Sequence, residues 1–268
     1  TGGTTGLAKG AMLTHGNLVA NMQQARACLG QFGTDGQPLL REGQEVMIAP
    51  LPLYHIYAFT ANCMCMMVTG NHNVLITNPR DIKGFIKELK NWRFSALLGL
   101  NTLFVALMDH PDFKTLDFSS LKLTNSGGTA LVKATAERWE KLTGCRITEG
   151  YGLTETSPVA CTNPYGDKSR IGTVGLPVPG TTLKIINDEG VEQALGERGE
   201  LCIKGPQIMK GYWHKPEATA EVLDAEGWFK SGDIAVIDPD GFVRIVDRKK
   251  DMIIVSGFNV YPNEIEDV

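Results

Sequence analysis

The feature that most constrains this 268-residue chain is a change of rhythm partway along it. From about Glu45 to Ile147, short apolar runs alternate with stretches of helical spacing. The runs at 46–51, 73–77, 95–99 and 121–125 predict strands, and the segments 56–68, 81–92 and 131–143 predict helices. Asp81 is placed to cap the second helix and Gly144 to stop the third. Such alternation buries its apolar faces as a parallel sheet covered by helices. After about Ile171 the pattern becomes all-β, with runs at 182–186, 200–204, 234–238, 242–247 and 252–255. Turn signals such as Asp188-Glu189-Gly190 and Asp238-Pro239-Asp240-Gly241 separate them. The expected fold is therefore α/β over residues 1–170, followed by an antiparallel, barrel-like β subdomain over 171–246. The Pro/Gly stretch 175–180 suits a joint, and the charged run from Asp247 suits a hinge into a further domain begun in 247–268. The chain opens without Met and closes in what reads as an interrupted helix, so a piece of a longer protein is expected.

Composition narrows the function classes. With 26 basic and 30 acidic residues the formal charge is −4, which argues against a nucleic-acid partner. The apolar content, 43%, is enough for a packed core and excludes disorder. The longest apolar stretch, 56–68, is interrupted by Thr60 and Asn62 and falls short of the ~20 residues that span a bilayer. Six cysteines form no Cys-x-x-Cys pair, so neither a zinc site nor a disulfide framework is suggested. They read as reduced core residues of a cytoplasmic protein.

Five motifs could carry chemistry. Thr1-Gly2-Gly3-Thr4-Thr5-Gly6-Leu7-Ala8-Lys9-Gly10 offers inward backbone N–H groups, hydroxyl donors and one positive charge. A polyphosphate needs that set, and the mechanism favours phosphate binding over a flexible loop. Glu149-Gly150-Tyr151-Gly152-Leu153-Thr154-Glu155 follows a predicted strand. Its ring can stack on a base, Thr154 can donate to phosphate, and Glu155 can hold Mg²⁺. By itself it is equally a Gly-rich turn with a surface Glu. Ser126-Gly127-Gly128-Thr129 lets a flat ring lie on bare backbone, or is simply a strand-to-helix turn with Thr129 as cap. In Trp228-Phe229-Lys230-Ser231-Gly232-Asp233, Asp233 could bind a ribose diol, though a hairpin-turn Asp is the simpler reading. Asp247-Arg248-Lys249-Lys250-Asp251 is by default a solvated turn. His55 follows a predicted strand, and a lone His is more often structural than catalytic. The Met-rich run at 64–67 is more often core, although it would suit a lipid-binding wall.

Taken together and in order, these motifs and the Gly-Glu-Leu-x3-Gly-x3-Met-x-Gly-Tyr-Trp run at 199–213 resemble the adenylate-forming, AMP-binding superfamily. That group includes acyl-CoA synthetases, luciferases and peptide-synthetase adenylation domains. Within it, the chain resembles most closely the bacterial long-chain fatty acid–CoA ligases. The resemblance implies part of that family's large domain and a two-step reaction. A carboxylate attacks the α-phosphate of Mg-ATP to give acyl-AMP and pyrophosphate, and CoA then displaces AMP.

The resemblance also implies roles for particular residues. Thr1, Gly2, Gly3, Thr4, Thr5, Gly6 and Lys9 would surround the β- and γ-phosphates, with Thr1 and Glu155 beside Mg²⁺ and Thr154 at the α-phosphate. Gly127, Gly128, Thr129, Tyr151 and Gly152 would frame adenine, and Asp233 and Arg248 would hold the ribose. His55 would sit near the acyl carboxylate, Phe59 at an aromatic gate to the acyl tunnel, Asp247 at the hinge and Gly257 beside the CoA channel. Fatty acid, ATP and CoA are the expected partners, and contact with the inner face of a membrane would be peripheral. Oligomeric state is left open.

Three departures bear on activity. The aromatic residue that usually precedes the first Thr is missing, as is the C-terminal lysine used in adenylation, and Ser231 stands where Thr is commoner. The 268 residues alone are therefore expected to have little or no synthetase activity. A ligase for shorter or aromatic acids, an acyl-AMP ligase serving a carrier protein, and a non-catalytic nucleotide- or lipid-binding module are the competing readings. The joint presence of Lys9, Glu155, Asp233 and Arg248 speaks against the last.

Overall fold

The computed structural model describes residues 8–30, 38–249 and 251, together with the backbone of strands 253–255 and 258–260. The parallel part of the larger sheet comprises β1 (Val46–Ala49), β2 (His72–Leu75), β3 (Ala96–Gly99), β4 (Leu123–Ser126) and β5 (Ile147–Gly152). β6 (Val159–Thr162) then folds back antiparallel on β5, and β7 (Leu176–Pro177) antiparallel on β6. The strand order is β2-β1-β3-β4-β5-β6-β7, so the connection reverses direction between β1 and β3. Ligands of open α/β sheets bind at that reversal, beyond the carboxyl ends of the strands.

Period-two alternation places two cores on the two faces of this sheet. Ile48 and Leu97 point into one, with Phe85, Leu89, Phe104 and Trp139 from α3 (Ile82–Leu89), α4 (Asn101–Asp109) and α5 (Lys133–Thr143). Their neighbours Met47, Ala96 and Leu98 point into the other, against Cys65 and Met66. That second face is covered by α1 (His15–Leu29) and by α2 (Ile56–Ala58), which runs on as a π-helix over Phe59–Met66. Asp81 caps α3 as expected, its Oδ1 accepting the Gly84 N–H at 2.9 Å. Gly144 ends α5, as also expected.

Three helices escape the periodicity argument: α1, α4 and the short helix at Pro216–Val222, which falls in the stretch read as all-β. α1 buries Asn21 and Gln24 along with Cys28, so it carries no apolar stripe for a pattern search to find. Its start is nonetheless encoded: Thr14 Oγ1 accepts the Asn17 N–H at 3.0 Å and Asn17 Oδ1 accepts the Thr14 N–H at 2.9 Å. α4 fills the connection from β3 to β4, where no helix was expected.

The all-β part is an antiparallel sheet of order β11-β10-β9-β8, built from β8 (Thr182–Ile186), β9 (Arg198–Lys204), β10 (Phe229–Ile237) and β11 (Val243–Arg248). α6 (Pro216–Val222) packs on its β10 strand. Leu201, Ile203, Phe229 and Ala235 form its core with Ala160 and Cys161 of β6, so the two sheets share one apolar interior. Val243 is also hydrogen-bonded to the backbone of Val174 and Gly175 at 2.8 Å. β7 lies inside the 175–180 stretch, so the proposed joint is itself an edge strand of the larger sheet. Beyond it, β12 (Ile253–Val255) and β13 (Phe258–Val260) pair as a hairpin. All six cysteines are free and five are buried, as expected of core residues.

Candidate active site

Residues singled out from four separate motifs meet beyond the carboxyl ends of β1, β4 and β5. β4 ends at Ser126, and the chain turns through Gly127 and Gly128 before α5. Gly128 has φ +82°, a left-handed conformation that favours glycine. Thr129 does not cap α5: the helix begins three residues beyond that reading, Val132 is its cap, and Thr129 is exposed on the turn. β5 runs through Gly150, Tyr151 and Gly152, so this motif is a strand end and not a free turn. At Gly152 a Cβ would lie 1.9 Å from the Pro158 carbonyl oxygen, which excludes any side chain there.

Asp233 is not a hairpin-turn residue. It lies within β10, buried, at a register shift, and faces Arg248 across the β10–β11 pair. The Tyr151 hydroxyl donates to Asp233 Oδ2. Burial pushes the Asp233 carboxyl up, and the Tyr151 hydrogen bond and Arg248 oppose it. Burial and the Asp233 charge push the Tyr151 hydroxyl well up, so it stays a donor. Asp247 is buried in β11, which corrects the reading of 247–251 as a wholly solvated turn. Lys249, two residues on, pairs with Glu200 at 3.1 Å and Asp188 at 3.2 Å.

Glu155 sits in a short helical turn after β5 and is 5% exposed, not a surface Glu. Its Oε1 accepts the Tyr212 hydroxyl at 2.8 Å, and its Oε2 is buried with no hydrogen-bond partner among the described residues. Lys9 is held nearby because residues 10–12 run beside 210–213. Trp213 N donates to Gly10 O at 2.7 Å, and Met12 N to Gly211 O at 2.8 Å. The Lys9 ammonium lies 4.9 Å from the Tyr212 ring centroid. A positive charge and an unpaired carboxylate oxygen are thus presented at one place. Among the described residues no cluster of three or more His, Cys, Asp and Glu could hold a metal by itself.

A cavity of about 270 Å³ opens beside Thr154; Lys9, Glu155, Tyr212, Asp233 and Arg248 are not among its lining residues. Its polar end is lined by His55, Gly127, Gly128, Tyr151, Gly152 and Thr154. From there it runs between the sheet and the α1/π-helix layer to Cys28, Leu29, Met47, Met66, Leu98 and Leu123. The π-helix is fixed to the polar end by Thr60 Oγ1, which donates to Ser157 O at 3.1 Å, and α2 before it by the Tyr57 hydroxyl, which donates to Asn125. His55 caps α2 through Nδ1, which accepts the Tyr57 N–H at 3.2 Å. Phe59 is 37% exposed and is not among the residues lining the cavity. In the Met run, Met66 is buried against the cavity whereas Met67 is exposed.

Thr1, Gly2, Gly3, Thr4, Thr5, Gly6 and Gly257 lie outside the described residues. Three contributors escaped the sequence argument: Tyr57, Asn125 and Tyr212. Tyr212 stands in the Gly-Tyr-Trp run and Tyr57 two residues after His55, so each had a signal without a role. Glu149 Oε1 accepts the Gly172 N–H at 3.2 Å. Burial pushes its carboxyl up to about 7 against backbone N–H groups of Gly172 and Leu131.

Known proteins resemble the chain in sequence and in fold. Over its whole length the chain is 56% identical to the long-chain-fatty-acid–CoA ligase of Salmonella typhimurium, covering 46% of that protein. The chain thus spans about half the length of the curated relatives it matches. Its fold matches ATP-bound MatB from Rhodopseudomonas palustris with a TM-score of 0.83 at 32% identity, over 99% of this chain and 50% of that one. It matches the anthranilate CoA ligase AuaEII in complex with anthranoyl-AMP with a TM-score of 0.86 at 26% identity, over 100% of this chain and 50% of that one. The family described as "AMP-binding enzyme" matches residues 1–213, and the chain belongs to that family.

Proposed function

We propose that the protein carrying this chain activates a long-chain fatty acid with ATP and transfers the acyl group to CoA. In the first half-reaction a carboxylate oxygen bonds to the α-phosphorus as the bond to pyrophosphate breaks. In the second, the CoA sulfur takes the acyl carbon and AMP leaves. The observation that carries this reading is the cavity that joins a polar end at the strand termini to an apolar passage. An alkyl chain gains by leaving water along Met47, Leu98 and Leu123, and its carboxylate is then brought to the polar end. Similarity to the Salmonella ligase points the same way.

The chain's own residues supply positioning and charge. Asp233 and Arg248 would hold the ribose, with Tyr151 and the 127–129 turn against adenine. Thr154 would donate to the α-phosphate and Lys9 would face the outer phosphates. His55, whose Nδ1 is engaged in the cap, would offer its other edge to the carboxylate. Glu155 suits Mg²⁺: its Oε2 is a buried oxygen with no partner, and Mg²⁺ at nucleotide sites typically takes one or two carboxylates plus phosphates. Bound with ATP, the metal would neutralise phosphate charge. Phe59 at an acyl gate, Asp247 as the hinge, and the 1–6 and Gly257 contacts are part of the same proposal. No helix among the described residues is long and apolar enough to cross a membrane, and we propose peripheral contact and a cytoplasmic location.

The test uses the full-length protein with ATP, Mg²⁺, CoA and acids from acetate to oleate, measuring AMP and each thioester. Thioesters from long-chain acids are expected. Thioesters from aromatic or short acids would move the substrate. No AMP from a folded protein that still binds ATP would overturn the reading in favour of a binding module.

A further inference from the structure

Tyr212 lies outside every motif to which a role was given, yet it touches two of the groups proposed to act on the phosphates. Its hydroxyl donates to Glu155 Oε1 at 2.8 Å. Its ring lies 4.9 Å below the Lys9 ammonium, within the range of a cation–π contact. The residue is 7% exposed, and its backbone is tied twice: Tyr212 N donates to Thr219 Oγ1 at 2.8 Å, and Ala11 pairs with it as an isolated bridge. The same segment is joined to the Glu155 backbone where Met209 N donates to Glu155 O at 2.9 Å. A carboxylate side chain rotates freely unless something holds one oxygen. Here one oxygen is held and the other, Oε2, is buried with no partner.

We propose that Tyr212 is a positioning residue for adenylation. By engaging Oε1 it fixes the Glu155 carboxylate with Oε2 presented to the cation that accompanies ATP, and its ring sets the height of Lys9 beside it. The inference rests on the proposed ATP-dependent activation. Its chemistry is that of a divalent cation shared between one carboxylate and a polyphosphate. The same tyrosine ties together three segments far apart in sequence, so the phosphate-facing charges keep their spacing when ATP is absent.

The decisive variant is Tyr212→Phe in the full-length protein, which keeps the ring, its packing and the cation–π contact and removes only the hydroxyl. Two readouts are taken: calorimetric binding of ATP with and without Mg²⁺, and the single-turnover rate of acyl-AMP formation against Mg²⁺ concentration. Metal-free ATP should bind the variant as it binds the wild type. The gain in ATP affinity on adding Mg²⁺ should shrink, the half-saturating Mg²⁺ should rise, and the rate should fall about tenfold or more, as for loss of a hydrogen bond to a charged group. The KM for fatty acid should stay within about twofold, because Tyr212 does not line the cavity proposed for the acyl chain. In a Glu155→Gln background, Tyr212→Phe should add almost nothing, since it acts through the group already removed. Unchanged Mg²⁺ dependence, or full additivity with Glu155→Gln, overturns the proposal. Should Tyr212→Phe fail to fold, Thr219→Val, which releases the Tyr212 backbone tether, must weaken the Mg²⁺-linked gain in ATP affinity for the proposal to stand. A wild-type protein that forms no AMP with any acid would instead overturn the proposed function, while the Mg²⁺-linked ATP binding would still report on Tyr212.

Discussion

Glu149 makes the stability of this fold depend on pH in a direction opposite to the usual carboxylate. Its side chain is half-buried between the 127–131 turn and Gly172, and its carboxyl is pushed from 4.5 to about 7. Between those two values the folded state holds a proton that the unfolded chain has released. Stability therefore falls as pH rises, by up to about 1.4 kcal/mol per pH unit, and levels off above about pH 7. The full effect is about 3 kcal/mol, and water reaching this partly exposed side chain brings the expected value nearer 2 kcal/mol. Glu149→Gln has nearly the same shape, keeps an oxygen to accept the Gly172 N–H, and does not titrate. Urea unfolding of the full-length protein, followed by tryptophan fluorescence at about pH 5 and about pH 8, isolates the term. The stability of the variant relative to wild type should rise by roughly 2 kcal/mol between those conditions. Parallel curves for the two proteins would refute the assignment of a buried, proton-holding Glu149.

Three other substitutions follow from the same geometry. Asp233→Asn removes the charge that faces Arg248 and accepts from Tyr151, and should raise the KM for ATP about tenfold in steady-state assays. Gly152→Ala would place a methyl group 1.9 Å from the Pro158 carbonyl oxygen. β5 and β6 must part to admit it, so a loss of about 3 kcal/mol or more is expected by calorimetry, or no folded protein. Leu98→Trp adds bulk at the apolar end of the cavity and should shift the preferred acid to a shorter chain, read by competition between acids of different length.

What was legible in the sequence was what rests on period and punctuation. Short apolar runs around Ile48 and Leu97 gave the strands, Asp81 marked the start of α3 and Gly144 the end of α5. α1 was missed because its inward face carries Asn21 and Gln24. These side chains bond to Val159 O at 2.7 Å and Pro179 O at 2.7 Å, contacts made only in the folded chain. Asp233 and Glu155 read as turn or surface residues because local sequence does not reveal burial. Their partners Tyr151 and Tyr212 lie 82 and 57 residues away. The π-helix was invisible for a related reason: its turn is set by packing of Thr60 and Met66, not by a repeat.

The most direct test of the account follows the carboxylate oxygen. The full-length protein is given palmitate labelled with heavy oxygen in both carboxyl positions, with ATP, Mg²⁺ and CoA, and the products are weighed by mass spectrometry. Attack of the carboxylate on the α-phosphorus predicts AMP carrying one heavy oxygen and palmitoyl-CoA carrying one. Heavy oxygen in inorganic phosphate with ADP as the nucleotide product, or unlabelled AMP, would contradict it.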